Sequence, residues 1–190
     1  VGAYNGFLTY GLKSRLFNLK KANECLDRKE LEIELNNINL KNEKIIVTGF
    51  GRVGKGILEI MKIAGIRKVS INDFLHKKFV EPVFVHLDTL DYNERIDGSL
   101  AHKSDFYKYP DHYKSTFIKF VENADIFIAG HYYASGAPFL YSRNDVKDSK
   151  FNLKVVADIS CDINGPVAST IRSSTIDEPI YGYHPETENE

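Results

Sequence analysis

Two groups of residues have types and spacing that suit chemistry. The first is Gly49-Phe50-Gly51-Arg52-Val53-Gly54, which fits G-x-G-x-x-G. It follows the β-branched run Lys44-Ile45-Ile46-Val47-Thr48 and leads into apolar residues at helical spacing, Val53, Ile57, Ile60 and Met61. Strand, glycine loop and helix, in that order, form the context in which the pattern binds a dinucleotide. Gly49 would allow the tight turn, Gly51 the approach of a pyrophosphate, and Gly54 close packing of helix on strand. The free N–H groups of the first helical turn and the helix dipole would then meet the phosphates. Phe50, Arg52 and Val53 enter the candidate cofactor site as members of the same loop. The second group is Asp158-Ile159-Ser160-Cys161-Asp162-Ile163-Asn164-Gly165. In a strand, Asp158 and Asp162 would fall on one face by the period of two. One would orient the cofactor's ribose or the substrate's amino group, and the other would hold a proton donor or the substrate's cation. Loop capping around Gly165-Pro166 is the competing reading. No base can be assigned to Cys161, which reads as a packed thiol.

Other candidates lie between these groups. An acidic residue about 20 positions beyond the first glycine is expected on the adenosine ribose. Asn72 and Asp73 both stand near that distance, and either fits. Arg52, Arg67, Lys77 and Lys78 are cations that could meet a 2′-phosphate, so NAD and NADP both stay open. Leu87, closing a third strand, joins the cofactor-binding set. So do Ala129, Gly130, His131 and Tyr132 after a fourth strand, with Asp158, Ile159 and Ser160 after a fifth. Gly130 would admit the nicotinamide-side ribose. His76, His86, His102 and His112 show no ligand spacing, so no metal site is expected.

The elements that must position these residues follow from periodicity. Tyr4 to Leu19 is expected to be helical. Asp27 with Glu30 reads as a capping box opening a second helix. Strands are expected at Lys44–Thr48, Arg67–Ile71, Pro82–Leu87, Asp125–Ala129 and Leu153–Ile159. Helices are expected from Val53 to about Ala64, with Gly65 just past its end, and from Pro110 to Asn123. The uninterrupted apolar strands suit burial on both faces. Strands alternating with helices predict an α/β fold: a Rossmann-type, doubly wound parallel sheet in three layers, α/β/α. The division predicted is a helical segment over 1–40 and an NAD(P)-binding domain over 41–190.

Composition narrows the rest. The 190 residues carry 25 Lys and Arg against 26 Asp and Glu, a net charge of −1. A protein that holds nucleic acid by bulk charge needs a basic excess, so no nucleic-acid partner is expected. At 43% apolar residues the chain can build a core, unlike a disordered tail. The longest stretch free of Asp, Glu, Lys and Arg, Ile126 to Ser142, contains His131, Gly130, Gly136 and Pro138 and makes a poor membrane span. Cys25 and Cys161 form no disulfide framework, which fits a reducing, cytoplasmic compartment. With no signal peptide and Val1 at its start, the chain is expected to be part of a longer protein.

The block Val155 to Gly165, with Ser173-Ser174-Thr175-Ile176-Asp177-Glu178-Pro179-Ile180-Tyr181, resembles the end of the dinucleotide-binding domain of saccharopine dehydrogenases. The likeness is to the saccharopine-forming lysine–2-oxoglutarate reductase type; alanine dehydrogenase and the transhydrogenase NAD-binding subunit are more distant. Gly49 to Gly54, Asp105 to Phe117 and Gly130-His131-Tyr132-Tyr133 support it. The resemblance implies an NAD(P)-dependent amino-acid oxidoreductase acting on an imine of an amino acid and a 2-oxo acid, such as lysine with 2-oxoglutarate. It implies that Asp158 and Asp162 border the cofactor, with Asp162 in the catalytic carboxylate position. It also implies a separate substrate domain carrying the catalytic lysine and histidine, joined through the first helix and absent from these residues. Homodimerisation is left open. An alanine dehydrogenase-like domain and a non-catalytic dinucleotide-binding regulatory module are the alternatives. An S-adenosylmethionine methyltransferase fits less well, because Val47-Thr48 stand where an acid usually precedes the glycine loop.

Overall fold

The computed structural model describes residues 1–190. Five strands form one parallel sheet: β1 (Lys44–Thr48), β2 (Arg67–Lys68), β3 (Val83–Leu87), β6 (Ile126–Ala129) and β7 (Val155–Asp158). Their spatial order is β2-β3-β1-β6-β7. Two further strands, β4 (Asn93–Arg95) and β5 (Tyr113–Ser115), pair antiparallel as a separate ribbon. No helix is long and apolar enough to cross a membrane.

Side chains alternate across the sheet by the strand period of two. Ile45, Val47, Phe84, Ile126, Ile128 and Val155 face one cluster, with Tyr4, Phe7 and Leu8 of α1 (Gly2–Ser14) and Ile57 and Met61 of α3 (Arg52–Ile63). Ile46, Val85, Leu87, Phe127 and Ala129 face the other, with Phe74 of α4 (Ile71–His76) and Phe120 and Val121 of α6 (Ile118–Val121). Helices thus cover both faces, as the doubly wound reading requires. α1 lies along β6 and β7. Gly6 makes this close approach possible, because a Cβ there would stand 3.0 Å from the Ala157 methyl.

The order of strands defines where a ligand belongs. From β1 the chain runs out to β2 at one edge, returns to β3 beside β1, and later adds β6 and β7 on the other side. The switch point lies between β1 and β6, whose carboxyl ends are Thr48-Gly49 and Ala129-Gly130. Open α/β sheets bind ligands at that crevice.

Three expected elements differ. The first helix stops at Ser14, because Arg15 adopts the left-handed conformation at φ 59 and its N–H bonds the Gly11 carbonyl. Phe17 and Leu19 still reach the core, from a returning segment rather than a helix. The expected strand Arg67–Ile71 is cut to two residues. Ser70 then caps α4, its Oγ accepting the Asp73 N–H at 3.1 Å. The expected helix Pro110–Asn123 is a 3-10 turn, strand β5 and the short α6. Its apolar spacing misled because the residues serve two clusters: Tyr113 packs with Phe106 and Ala137, Phe117 and Phe120 under the sheet. The capping box is half made. Asp27 accepts the Glu30 N–H in capping α2 (Arg28–Glu34), but the Glu30 carboxylate takes the Leu26 N–H and Lys20 instead.

Candidate dinucleotide site

The glycine loop is shaped by what its backbone must avoid. Gly49 sits at φ 98, and a Cβ there would lie 2.0 Å from the Gly130 carbonyl oxygen. A Cβ on Gly54 would lie 1.8 Å from the Gly49 carbonyl oxygen. Around Gly51 the space is open, with nothing within 4 Å of a built Cβ. Turn, close helix packing and an open approach therefore fall on the three glycines in the order the motif predicts. No side chain caps α3, and the first bond of the turn runs from the Lys55 N–H to the Gly51 carbonyl. The N–H groups of Arg52, Val53 and Gly54 are left for an acceptor from outside the chain. Phe50 and Val53 are about half exposed.

On the β3 side the loop is anchored. The His86 Nε2–H donates to the Gly49 carbonyl at 2.7 Å, and the Phe50 ring stacks on the imidazole with centroids 3.9 Å apart. Burial pushes His86 below the ordinary imidazole value, despite this bond. Asp88 follows Leu87 at the carboxyl end of β3, the strand next to β1. Its carboxylate accepts the Thr89 N–H and both its oxygens meet the Lys103 ammonium, at 2.6 and 2.8 Å. Burial works against the Asp88 charge, but Lys103 and the Thr89 N–H together outweigh it and hold the carboxyl below the usual range. The spacing rule overlooked Asp88 because it assumes that the second strand lies beside β1. Here β2 lies outside β3 and ends level with Phe84, so Asn72 and Asp73 fall on α4 and not at the crevice edge. Asp73 pairs with Lys77, and Arg67 with Glu81.

On the β6 side, Gly130 abuts Gly49, and a Cβ there would meet Ile57 Cδ1 at 2.6 Å. His131 Nδ1 lies 2.9 Å from the Thr48 hydroxyl, while its Nε2 is buried without a partner. Burial lowers the His131 pKa, and the charges of Asp158 and Asp162 pull the other way. Tyr132 is exposed. Leu87 and Ala129 are fully buried in the core, and Ile159 packs against the same cluster as α1.

Asp158 is committed to its own loop. One oxygen accepts the Ser160 hydroxyl at 2.5 Å and the N–H groups of Ser160 and Cys161; the other accepts the Thr170 hydroxyl at 2.6 Å. Asp162 makes no side-chain hydrogen bond and is half-buried, with its charge acting on His131 and Tyr133. Cys161 is not packed as the sequence suggested; it is exposed, at φ 55. A groove of about 970 Å³ beside β7 reaches Asp158 and Cys161 but contains no glycine-loop residue.

No protein-family model matches the chain. It is 26% identical over 160 residues to an alpha-aminoadipic semialdehyde synthase of Arabidopsis thaliana. That alignment takes in 74% of this chain but 15% of the relative. The likeness is distant, and this chain matches a small part of a much longer protein.

Proposed function

We propose that these residues form the NAD(P)-binding domain of a saccharopine dehydrogenase-like amino-acid oxidoreductase. The observation that carries the reading is the glycine loop at the switch point: an open Gly51 beneath the uncapped first turn of α3. The distant similarity to a synthase acting in aminoadipic semialdehyde formation supports the oxidoreductase class.

The N–H groups of Arg52, Val53 and Gly54 hold the pyrophosphate. Asp88 takes the adenosine ribose, replacing the Asn72 or Asp73 expected from spacing, because it ends the strand beside β1. Lys103 on Asp88 and Arg52 of the glycine loop are cations able to meet a 2′-phosphate. Bound there, the nicotinamide cofactor supplies hydride transfer. Asp162 is the free carboxylate that would hold a proton or a substrate cation at the reacting end. Asp158 keeps the Ser160–Thr170 loop in shape so that Asp162 projects from it. α1 would connect to a substrate domain that provides the opposing wall, with the lysine and histidine for acid–base chemistry. Orienting the substrate there is worth roughly 7–11 kcal/mol, so this chain alone should turn over nothing.

Titration calorimetry with NADH and NADPH tests the reading. The parent chain should bind at least one of them, and Gly51→Val should abolish binding with an unchanged melting temperature. Equal binding by parent and variant would overturn it.

A further inference from the structure

Thr48 closes β1 and is fully buried, and its hydroxyl has one partner, His131 Nδ1 at 2.9 Å. A buried hydroxyl proton left without an acceptor is costly. Nδ1 can accept that proton only if it carries none itself. The Thr48 hydroxyl therefore donates to Nδ1, and the ring proton of the neutral imidazole sits on Nε2. Nε2 is buried and unpartnered. The fold thus holds an N–H donor whose acceptor is missing, just past Gly130 at the carboxyl end of β6.

We infer that His131 donates its Nε2–H to an oxygen of the nicotinamide riboside half of the dinucleotide, with Thr48 as the positioning residue that fixes the tautomer. The inference rests on the dinucleotide reading above. The direction of the ligand decides which half is involved. Asp88 and Phe50 mark the β3 side as the adenosine side, so the other half extends over β6 and β7, where His131 and Asp162 stand. Nε2 is covered in the free chain, so an oxygen acceptor there, a ribose hydroxyl or the carboxamide carbonyl, completes the bond as the segment after Gly130 shifts to admit it. Burial keeps the ring neutral against the pull of Asp158 and Asp162, so it acts as a donor without carrying charge.

The test uses NADH and ADP as separate probes, since ADP lacks the nicotinamide riboside. Long-range proton–nitrogen NMR of the free chain should show His131 as the Nε2–H tautomer in the parent and a shift away from it in Thr48→Val. His131→Phe should weaken NADH binding about tenfold, the loss of one buried hydrogen bond, and leave ADP binding unchanged. His131→Gln, which can offer an N–H, should recover part of the loss and guards against a folding defect in the Phe variant. Equal loss of NADH and ADP in His131→Phe, no loss of NADH, or an Nδ1–H tautomer in the parent would each overturn the assignment and leave the dinucleotide reading standing. If the parent binds neither probe, the dinucleotide reading falls and takes this assignment with it.

Discussion

The loops after β1 and after β7 sit at the same edge of the sheet and are built on opposite terms. The glycine loop leaves the first N–H donors of α3 unpaired: α3 has no capping side chain, and nothing lies within 4 Å above Gly51. The loop after β7 has spent its bonds, with Asp158 accepting from Ser160, Cys161 and Thr170. That loop bends through two non-glycine residues in the left-handed region, Cys161 and Asn164, both at φ 55. Such residues cost of order 1–3 kcal/mol each and persist where neighbours hold them. In the more reactive-looking loop, Asp158 is therefore structural, and the chemically bland glycines leave the free donors.

Changes in either loop would sharpen that contrast. The largest effect should come from Gly49→Ala, which combines a positive φ with a Cβ 2.0 Å from the Gly130 oxygen. A loss of about 4 kcal/mol or more is expected, read as a collapsed urea midpoint, whereas Gly51→Ala should stay within about 0.5 kcal/mol of the parent. Comparable losses for the two glycines would erase the distinction between them.

Asp158→Ala comes next. It strands the donors of Ser160 and Thr170 and should cost about 3 kcal/mol, seen by differential scanning calorimetry. Asp162→Ala should change stability by less than about 0.5 kcal/mol, since its carboxylate makes no hydrogen bond. In a longer chain that carries the proposed substrate domain, it should instead lower kcat. A stability loss at Asp162 matching that at Asp158 would mean that both carboxylates are structural.

The smallest effect is a pH slope. Burial holds His86 and His131 below the ordinary imidazole value of about 6.5. As pH falls below that value, the unfolded chain takes up protons that the folded chain refuses. Stability should therefore fall from pH 7 toward pH 5 and level out below the folded values. The double variant His86→Gln/His131→Gln should flatten the slope; an identical slope would show that other groups produce it.

Much of this was readable from the chain. The runs Lys44–Thr48 and Val83–Leu87 name strands buried on both faces, and the crowding at Gly49 and Gly54 with the open space at Gly51 follows from their spacing. What escaped depends on contacts between distant segments. Asp88 becomes the acid at the crevice only because β3, rather than β2, pairs with β1. Ser70 and Asp73 had the spacing of a helix start, but Val69 and Ile71 around them favoured a strand. Lys103 reaches Asp88 from a helix 15 positions on, and no local pattern announces that pair. The commitment of Asp158 needed Thr170 from the far end of its loop.

The backbone contact between Gly49 and Gly130 also has an evolutionary consequence. A side chain on Gly49 would strike the Gly130 carbonyl, and one on Gly130 would strike Ile57, Val53 and the Thr48 carbonyl, all across segments far apart in sequence. Neither can take a side chain without displacing packed neighbours. Among homologues these two positions should stay fixed together, while Gly51 is free to vary in any lineage that has given up its ligand. A copy of this domain retaining Gly49, Gly54 and Gly130 but not Gly51 would be the trace of a fold that outlived its binding site.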